Sequence, residues 1–409
     1  EALLMEHAAE AMAVQVRNRI AAGSAVAVVC GPGNNGADGL VLARLLHGRY
    51  AVRVVLPLGA KTSMAQRQLE RLRKLGVPEA DRLDGCDVVV DALFGSGLWR
   101  PLGEAVLGLV RDMNRQKAFK IACDMPTGLR RDGTLDAEVF RADLTVTMGA
   151  LKRGMFSDAA KNVVGEIAVA DLGVDRSLYE TESGWKLLDR DDLRLPLREN
   201  ADVHKGSFGH LGVVCGEKSG AAVLAGKAAL RFGTGLVTLL SNSEHELRER
   251  FDGEIPLVCD ADLFAHPMLG EVLKRTSPVL TPHPKEFVTL LRRTGLADID
   301  VATLQSDRFG YVEAFCRAYP GAVLLLKGAN VIIGQRDRFF VNPHGTNALA
   351  KGGSGDVLSG LIGALLAQGY APLEAAIHAS LAHTEAAVRF EGQRYALTPD
   401  VLIEGVGRL

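Results

Sequence analysis

Apolar positions in the first half of the chain fall in short continuous runs rather than in alternation. "AVAVVC" (25–30), "AVRVVLPL" (51–58), "CDVVVDALFG" (86–95), "KIACDMPTG" (120–128) and "ADLTVTMGA" (142–150) each read as a strand. "GEIAVADLG" (165–173) reads as an edge strand. Continuous apolar strands are those buried on both faces. Between them "GLVLARLLHGR", residues 62–75 and residues 102–115 read as helices. The opening stretch "EALLMEHAAEAMAVQVRNRI" sets Leu4, Ala8, Met12 and Val16 on one helical face. Its acids and its lack of a basic start read against a signal peptide. Strands alternating with helices predict a mostly parallel sheet covered on both sides.

Over 174–205 the pattern lapses into charged sequence, and a domain boundary is expected near residue 183. A second α/β series then begins. "HLGVVCGE" (210–217), "LVTLLSN", "PLVCDAD" and "SPVLTPHP" read as strands, and "GAVLLLKGANVIIG" (321–334) as two strands broken at Lys-Gly. Helices are expected at 220–235, 354–368 and 372–389, and "HKGSFGH" (204–210) as a mobile flap. The predicted fold is α/β with two domains, 1–183 and 184–409, the first a Rossmann-like three-layer α/β/α domain.

Composition narrows the class. The chain has 409 residues, a formal net charge of −2 and 5% aromatic residues. Neither a basic field nor stacking platforms for nucleic acid are present. No apolar run reaches the length of a membrane span. Six widely spaced cysteines without a C-x-x-C or zinc spacing read as buried apolar residues of a reduced compartment. A cytoplasmic enzyme or binding protein is expected.

Candidate chemistry sits at strand ends, where open parallel sheets bind ligands. "CGPGNNGADGL" (30–40) joins a strand to a helix; its glycines permit close approach and the helix start offers free N–H groups. A tight turn explains the glycines alone, but not the amides Asn34 and Asn35 or the carboxylate Asp38. Asp91 and Asp124 each follow a buried strand, where an unpaired carboxylate is costly. Each therefore caps a turn or faces a site. Asn35, Asp91 and Thr127 form an all-oxygen set suited to a hard cation, which leaves Asp124 free for acid/base work.

"MEHAA…GPGNNGADG…DALFGSGL…CDMPTGL…VTMGALKRG", spanning residues 3–173, resembles the NAD(P)H-hydrate epimerase domain. The resemblance implies potassium held by Asn35, Asp91 and Thr127. It implies substrate contacts from Asn34, Asn35, Gly36, Ala37 and Asp38, and from the loop Gly95, Ser96, Gly97, Leu98, Trp99, Arg100 and Pro101. Asp124 is the implied proton-shuttling residue. Two positions depart from the family pattern: Ala37 stands where a glycine is usual, and Thr127 where a serine is usual.

In the second half, "NALAKGGSGDVLSG" places Gly352, Gly353, Ser354 and Gly355 before a helix, an anion cradle of backbone N–H groups. Asp356 falls in the first turn, where the helix dipole favours its ionised form and a proton could be taken from a substrate group beside the phosphate. An ordinary first-turn Asp is the alternative, but it does not account for so many glycines. His283, between two prolines, reads as a capping or surface residue unless it meets a ligand. Lys327 follows a very apolar strand.

With "HKGSFGHLGVVCGE", "SGAAVLAGKAALRFGTGLV", "LTPHPKEF" and "LLKGANVII", this loop resembles the ribokinase-like superfamily, and more narrowly the ADP/ATP-dependent NAD(P)H-hydrate dehydratase domain. The second domain is thus expected to be a ribokinase-like α/β domain. The resemblance implies that Lys327, Gly328, Ala329, Asn330, Val331 and Gly355 contact ADP or ATP, which arrives with magnesium. Ala221, His283 and Asp356 would contact the hydrated cofactor, NADHX or NADPHX. A homo-oligomer with no nucleic-acid or membrane partner is expected. The join near 251–256 is shorter than the family pattern, which has another glycine-containing loop there. Two rival readings are a ribokinase-like small-molecule kinase and a nucleotide-binding module with a silent first half.

Overall fold

A computed structural model describes residues 2–180, 183–216, 219–241 and 255–409. Chain contacts divide it into two compact units, Glu1–Glu182 and Ser183–Leu409.

The first unit is built on a six-stranded, fully parallel sheet of order β2-β1-β3-β4-β5-β6. Its strands are β1 (Ala25–Cys30), β2 (Ala51–Val55), β3 (Val88–Ala92), β4 (Phe119–Cys123), β5 (Leu144–Met148) and β6 (Glu166–Ala170), the last at the edge. Helices α1 (Ala2–Arg19), α2 (Asn34–Leu46), α3 (Ser63–Lys74) and α4 (Glu104–Arg115) alternate with them. The period-2 geometry of a strand explains the layers. Val26, Val28 and Cys30 share a buried cluster with Met12, Leu40 and Leu72 of α1, α2 and α3. Ala27 and Val29 face the other way, into a cluster with Val110 and Met113 of α4. Both faces are covered, which is why the strands read as unbroken apolar runs.

In the second unit, β7 (Trp185–Leu187), β8 (His210–Cys215), β9 (Leu236–Ser241), β10 (Val258–Cys259), β11 (Val279–Leu280), β12 (Val323–Leu326), β13 (Val331–Gln335) and β14 (Arg338–Asn342) form two sheets. One is the mixed sheet β10-β11-β12-β13-β14-β7; the other is the parallel pair β8-β9, bridged by α5 (Ser219–Arg231). The helix Ser354–Ala367 packs against α5 closely enough that a Cβ on Gly360 would lie 2.2 Å from the Ala225 carbonyl oxygen. Both helices, with Pro372–Val388 and Pro399–Val406, close one core over Val323, Leu325 and Ile333.

Several features differ from the sequence reading, among them the helices Val301–Ser306, Arg308–Ala318 and Pro399–Val406, for which it names no element. β7 lies where the pattern lapses; at three residues it is too short to show a period. Its parallel pairing with β14 is fixed instead by Trp185 stacked on Phe339, ring centroids 4.7 Å apart. β14, with an exposed Arg338 at its start, lies outside the apolar runs that mark the other strands. The 204–210 stretch, expected to be a flap, is a 3-10 turn capped by the His204 side chain. The short join near 251–256 falls largely in 242–254, outside the described residues.

Candidate functional sites at the strand ends of each unit

The first site grows from the β1–α2 turn. Gly36 lies in the first turns of α2, and a Cβ there would lie 1.9 Å from the Gly31 carbonyl oxygen. Only glycine lets the helix start this close to the strand. Ala37 is also helical and fully buried in the core cluster with Leu40. Its backbone is ordinary, so a methyl group is compatible with the turn. Asn34 and Asn35 open the helix, where the first N–H groups lack intrahelical acceptors.

Asp91 in β3 is fully buried and wholly hydrogen-bonded. Its Oδ1 accepts from the Thr127 hydroxyl (2.8 Å) and the Leu93 N–H (3.1 Å); Oδ2 accepts from the Thr127 N–H (2.7 Å). The Phe94 N–H in turn donates to Thr127 Oγ1 at 3.1 Å. Burial pushes Asp91 up to about 6 despite these donors. Among the described residues no basic side chain pairs with it.

Asp124 follows β4 in a left-handed backbone conformation, φ 67°, which costs a non-glycine residue energy. Its carboxylate explains why the strain is kept. Oδ2 accepts from the Ser96 N–H at 2.8 Å; Oδ1 lies 2.6 Å from Lys152 Nζ and accepts from the Met148 N–H at 3.2 Å. Burial alone would raise its pKa, but Lys152 and the Ser96 N–H more than offset this and hold it below the ordinary range. Asp38 goes the other way: burial, then the charge of Asp124, pushes it up to about 8. Gly95 marks the centre of the group, since a Cβ there would lie 2.7 Å from Asp124 Oδ2 and 2.9 Å from Asn35 Oδ1. The Asn35 amide nitrogen is buried without a hydrogen-bond partner among the described residues. From Gly95 the loop turns outward; Leu98 is buried, while Gly97, Arg100 and Pro101 are exposed and Trp99 is 82% exposed. Two carboxylates with oppositely shifted pKa values side by side are the arrangement of an acid/base pair.

The second site surrounds the start of the helix Ser354–Ala367. Gly353 caps it in the left-handed region, φ 92°, and a Cβ there would collide with Pro399 and Leu224. Gly352 faces open space. Lys327 opens the β12–β13 loop, which continues through Gly328 and Ala329, both exposed, to the buried Asn330 and Val331. A Cβ on Gly355 would lie 3.3 Å from Lys327 Nζ, so the ammonium stands at the cradle. Lys327 is held there by Asp260, 2.6 Å away, whose other oxygen accepts from Ser359 Oγ at 2.6 Å. Desolvation first, then the charge of Asp260, raises the pKa of Asp356, with Lys327 pulling down. The buried Arg308 donates to the Lys327 carbonyl at 3.0 Å.

His283 is the N-cap of the helix Pro284–Arg293. Its Nδ1 accepts from the Glu286 N–H at 3.1 Å, and its own N–H donates to Glu286 Oε2 at 2.8 Å. The ring is exposed, so capping leaves it accessible to a ligand. Ala221 lies exposed in the first turn of α5. Lys152, Asp260, Ser359 and His383 were not singled out in the sequence. Asp260 has the signature that marked Asp91 and Asp124, a carboxylate closing an apolar strand.

Two family models match the chain: YjeF-related protein N-terminus over residues 1–154 and NAD(P)H-hydrate dehydratase over residues 245–407. The bifunctional NAD(P)H-hydrate repair enzyme Nnr of Helicobacter pylori is 40% identical over 449 residues, covering 100% of this chain and 95% of that protein. The protein of the same name from Coxiella burnetii is 32% identical, covering 92% and 88%. Among solved structures, the ADP/ATP-dependent NAD(P)H-hydrate dehydratase from Bacillus subtilis, co-crystallised with ATP/Mg2+, is 26% identical. It covers 52% of this chain and 92% of that one, with a TM-score of 0.43. The chain belongs to the family of bifunctional NAD(P)H-hydrate repair enzymes. The Helicobacter alignment runs over 449 positions against 409 residues here, so segments of that relative have no counterpart in this chain.

Proposed function

We propose that this chain repairs hydrated nicotinamide cofactors, its first unit interconverting the R and S hydrates and its second dehydrating the S form with ADP or ATP. The observation that carries the reading is the pairing of two independent strand-end sites, one with an acid/base carboxylate pair and one with a phosphate cradle, in a chain of this family. Only one epimer can be consumed by a stereospecific dehydratase, so the two activities complement each other.

In the first site Asp124, held ionised by Lys152, takes the proton, and Asp38, raised by burial, carries one. Asn34, Asn35 and the loop Gly95–Pro101 contact the substrate. Potassium suits the oxygens of Asn35, Asp91 and Thr127, because Asp91 is a buried carboxylate without a basic partner among the described residues. Bound there, the ion would supply positive charge that holds the substrate and the loop.

In the second site the N–H groups of Gly355 and Asp356 face the transferring phosphate, and Lys327 offsets its charge. Lys327–Val331 receive the nucleotide, while Ala221 and His283 contact the hydrated ring. Asp356 takes the proton of the ring hydroxyl as it is phosphorylated; phosphate then leaves, a proton departs from the adjacent ring carbon with it, and the C–H electron pair becomes the restored double bond. The Asp260 carboxylate beside Lys327 suits magnesium arriving with the nucleotide. A reduced, cytoplasmic setting is part of this reading and agrees with six free cysteines.

The test is turnover of a mixture of R and S hydrates. With ADP or ATP the whole mixture is expected to regain reduced-nicotinamide absorbance; with tetramethylammonium replacing potassium, recovery of the R half is expected to lag. A phosphorylated product released without recovered absorbance would indicate a small-molecule kinase instead.

The two bases also predict a difference within one enzyme preparation. A base works only when ionised, so kcat/KM falls as the pH drops through its pKa. Asp356 is raised and Asp124 is lowered. The acid limb of dehydration is therefore expected at higher pH than that of epimerisation. Coincident or reversed limbs, measured by assaying both reactions across acid pH, would reject these assignments.

A further inference from the structure

The helix Pro372–Val388 carries a histidine to the phosphate cradle. His383 is 7% exposed, and its Nε2 lies 3.0 Å from the Ser354 carbonyl oxygen and 3.2 Å from Ser354 Oγ. Burial pulls its pKa down to about 4, so the ring is neutral at ordinary pH, with one N–H to donate. The carbonyl beside Nε2 requires that proton to sit on Nε2.

The Ser354 carbonyl belongs to the same rigid peptide plane as the Gly355 N–H, and in a trans peptide the two point in opposite directions. A hydrogen bond that fixes the carbonyl therefore fixes the direction of the N–H. Ser354 is the first residue of its helix, where the Val357 N–H donates to the Gly353 carbonyl at 3.1 Å, so the plane is held from the helix side; the stretch before it is looser, for Gly352 faces open space and the Ser354 N–H reaches the Lys351 carbonyl at 3.2 Å, the long end of the range.

We propose that His383 is a positioning residue for phosphate binding: by pinning the Ser354 carbonyl it aims the Gly355 N–H at the anion. This rests on reading the loop as a phosphate cradle. His383 itself does not touch the phosphate, and its effect is confined to ligands whose phosphate reaches the cradle.

Calorimetric affinities for ADP and AMP separate this from a general packing role. His383→Leu fills the site without a donor; His383→Gln restores an N–H at similar reach. His383→Leu is expected to weaken ADP about tenfold while AMP changes by less than about twofold, and His383→Gln to recover most of the loss. His383→Ala serves should the leucine variant not fold, and epimerisation reports on the rest of the chain.

Equal weakening of ADP and AMP, unchanged ADP affinity in the leucine or alanine variant, or no advantage of glutamine would overturn the proposal. So would a wild-type protein that binds ADP no more tightly than AMP. Hydrate turnover measured alongside separates the two readings. A wild-type protein that prefers ADP but leaves hydrate untouched refutes the dehydratase, while the affinities still decide the role of His383.

Discussion

Asp356→Asn is expected to lower the rate of hydrate dehydration by about 10²–10⁴-fold, the usual worth of a positioned general base, while ADP affinity stays close to that of the wild type. Asparagine keeps the size and helix-start position of the side chain, so the Gly353 cap and the N–H groups behind the cradle are undisturbed. It cannot take a proton from the ring hydroxyl. It also removes one of two carboxylates near the cradle, Asp260 being the other, so nucleotide binding loses a repulsion rather than a contact. Single-turnover dehydration and ADP calorimetry on the same sample check this. Unchanged turnover would remove Asp356 from the chemistry; a parallel collapse of ADP affinity would make it a binding residue.

Asp124→Asn is expected to cost epimerisation a similar factor, about 10²–10⁴-fold, with the fold retained. Asparagine tolerates the left-handed conformation found at this position, φ 67°. Lys152 keeps its contacts to Thr147 Oγ1 and the Met148 carbonyl, both at 2.7 Å. Asp124→Ala is a different experiment. Both variants remove the counter-ion of the largely buried Lys152 ammonium, but alanine also enters left-handed backbone at about 1–2 kcal/mol and leaves the ammonium without the amide oxygen that asparagine keeps beside it. Urea unfolding is therefore expected to distinguish the variants, with the alanine protein much the weaker, although both are slow. Rapid interconversion of R and S hydrates in Asp124→Asn would sink the assignment.

Most of the fold was legible because the two six-stranded sheets have at their centres runs buried on two faces, and such runs stand out against charged connections. What escaped had no run to show. β7 is three residues held by an aromatic stack with Phe339, a contact 154 positions along that no local pattern displays. The site followed the same rule. Asp91, Asp124 and the Gly352–Asp356 loop announce themselves locally, as carboxylates after apolar strands or glycines before a helix. Asp260 closes an apolar run in the same manner and could have been found by that reasoning. Lys152 and His383 could not: each reaches its partner across the fold, from a loop and from the middle of a helix, and neither position departs from its surroundings. Ala37 shows the converse. Its departure from the glycine usual in the family demands an ordinary backbone, and the residue is helical and buried, where alanine is the best helix former.

The two units have separate cores, one closed by α1 to α4 and the other by the helices over β12 and β13. Damage to this enzyme therefore divides unevenly. A chain whose first core has melted still rescues the S half of the hydrate pool and strands the R half. A chain whose second core has melted shuffles both forms indefinitely and rescues neither. Heat or mutation that spares the second core leaves a cell with repair of one epimer; damage to that core leaves it with none.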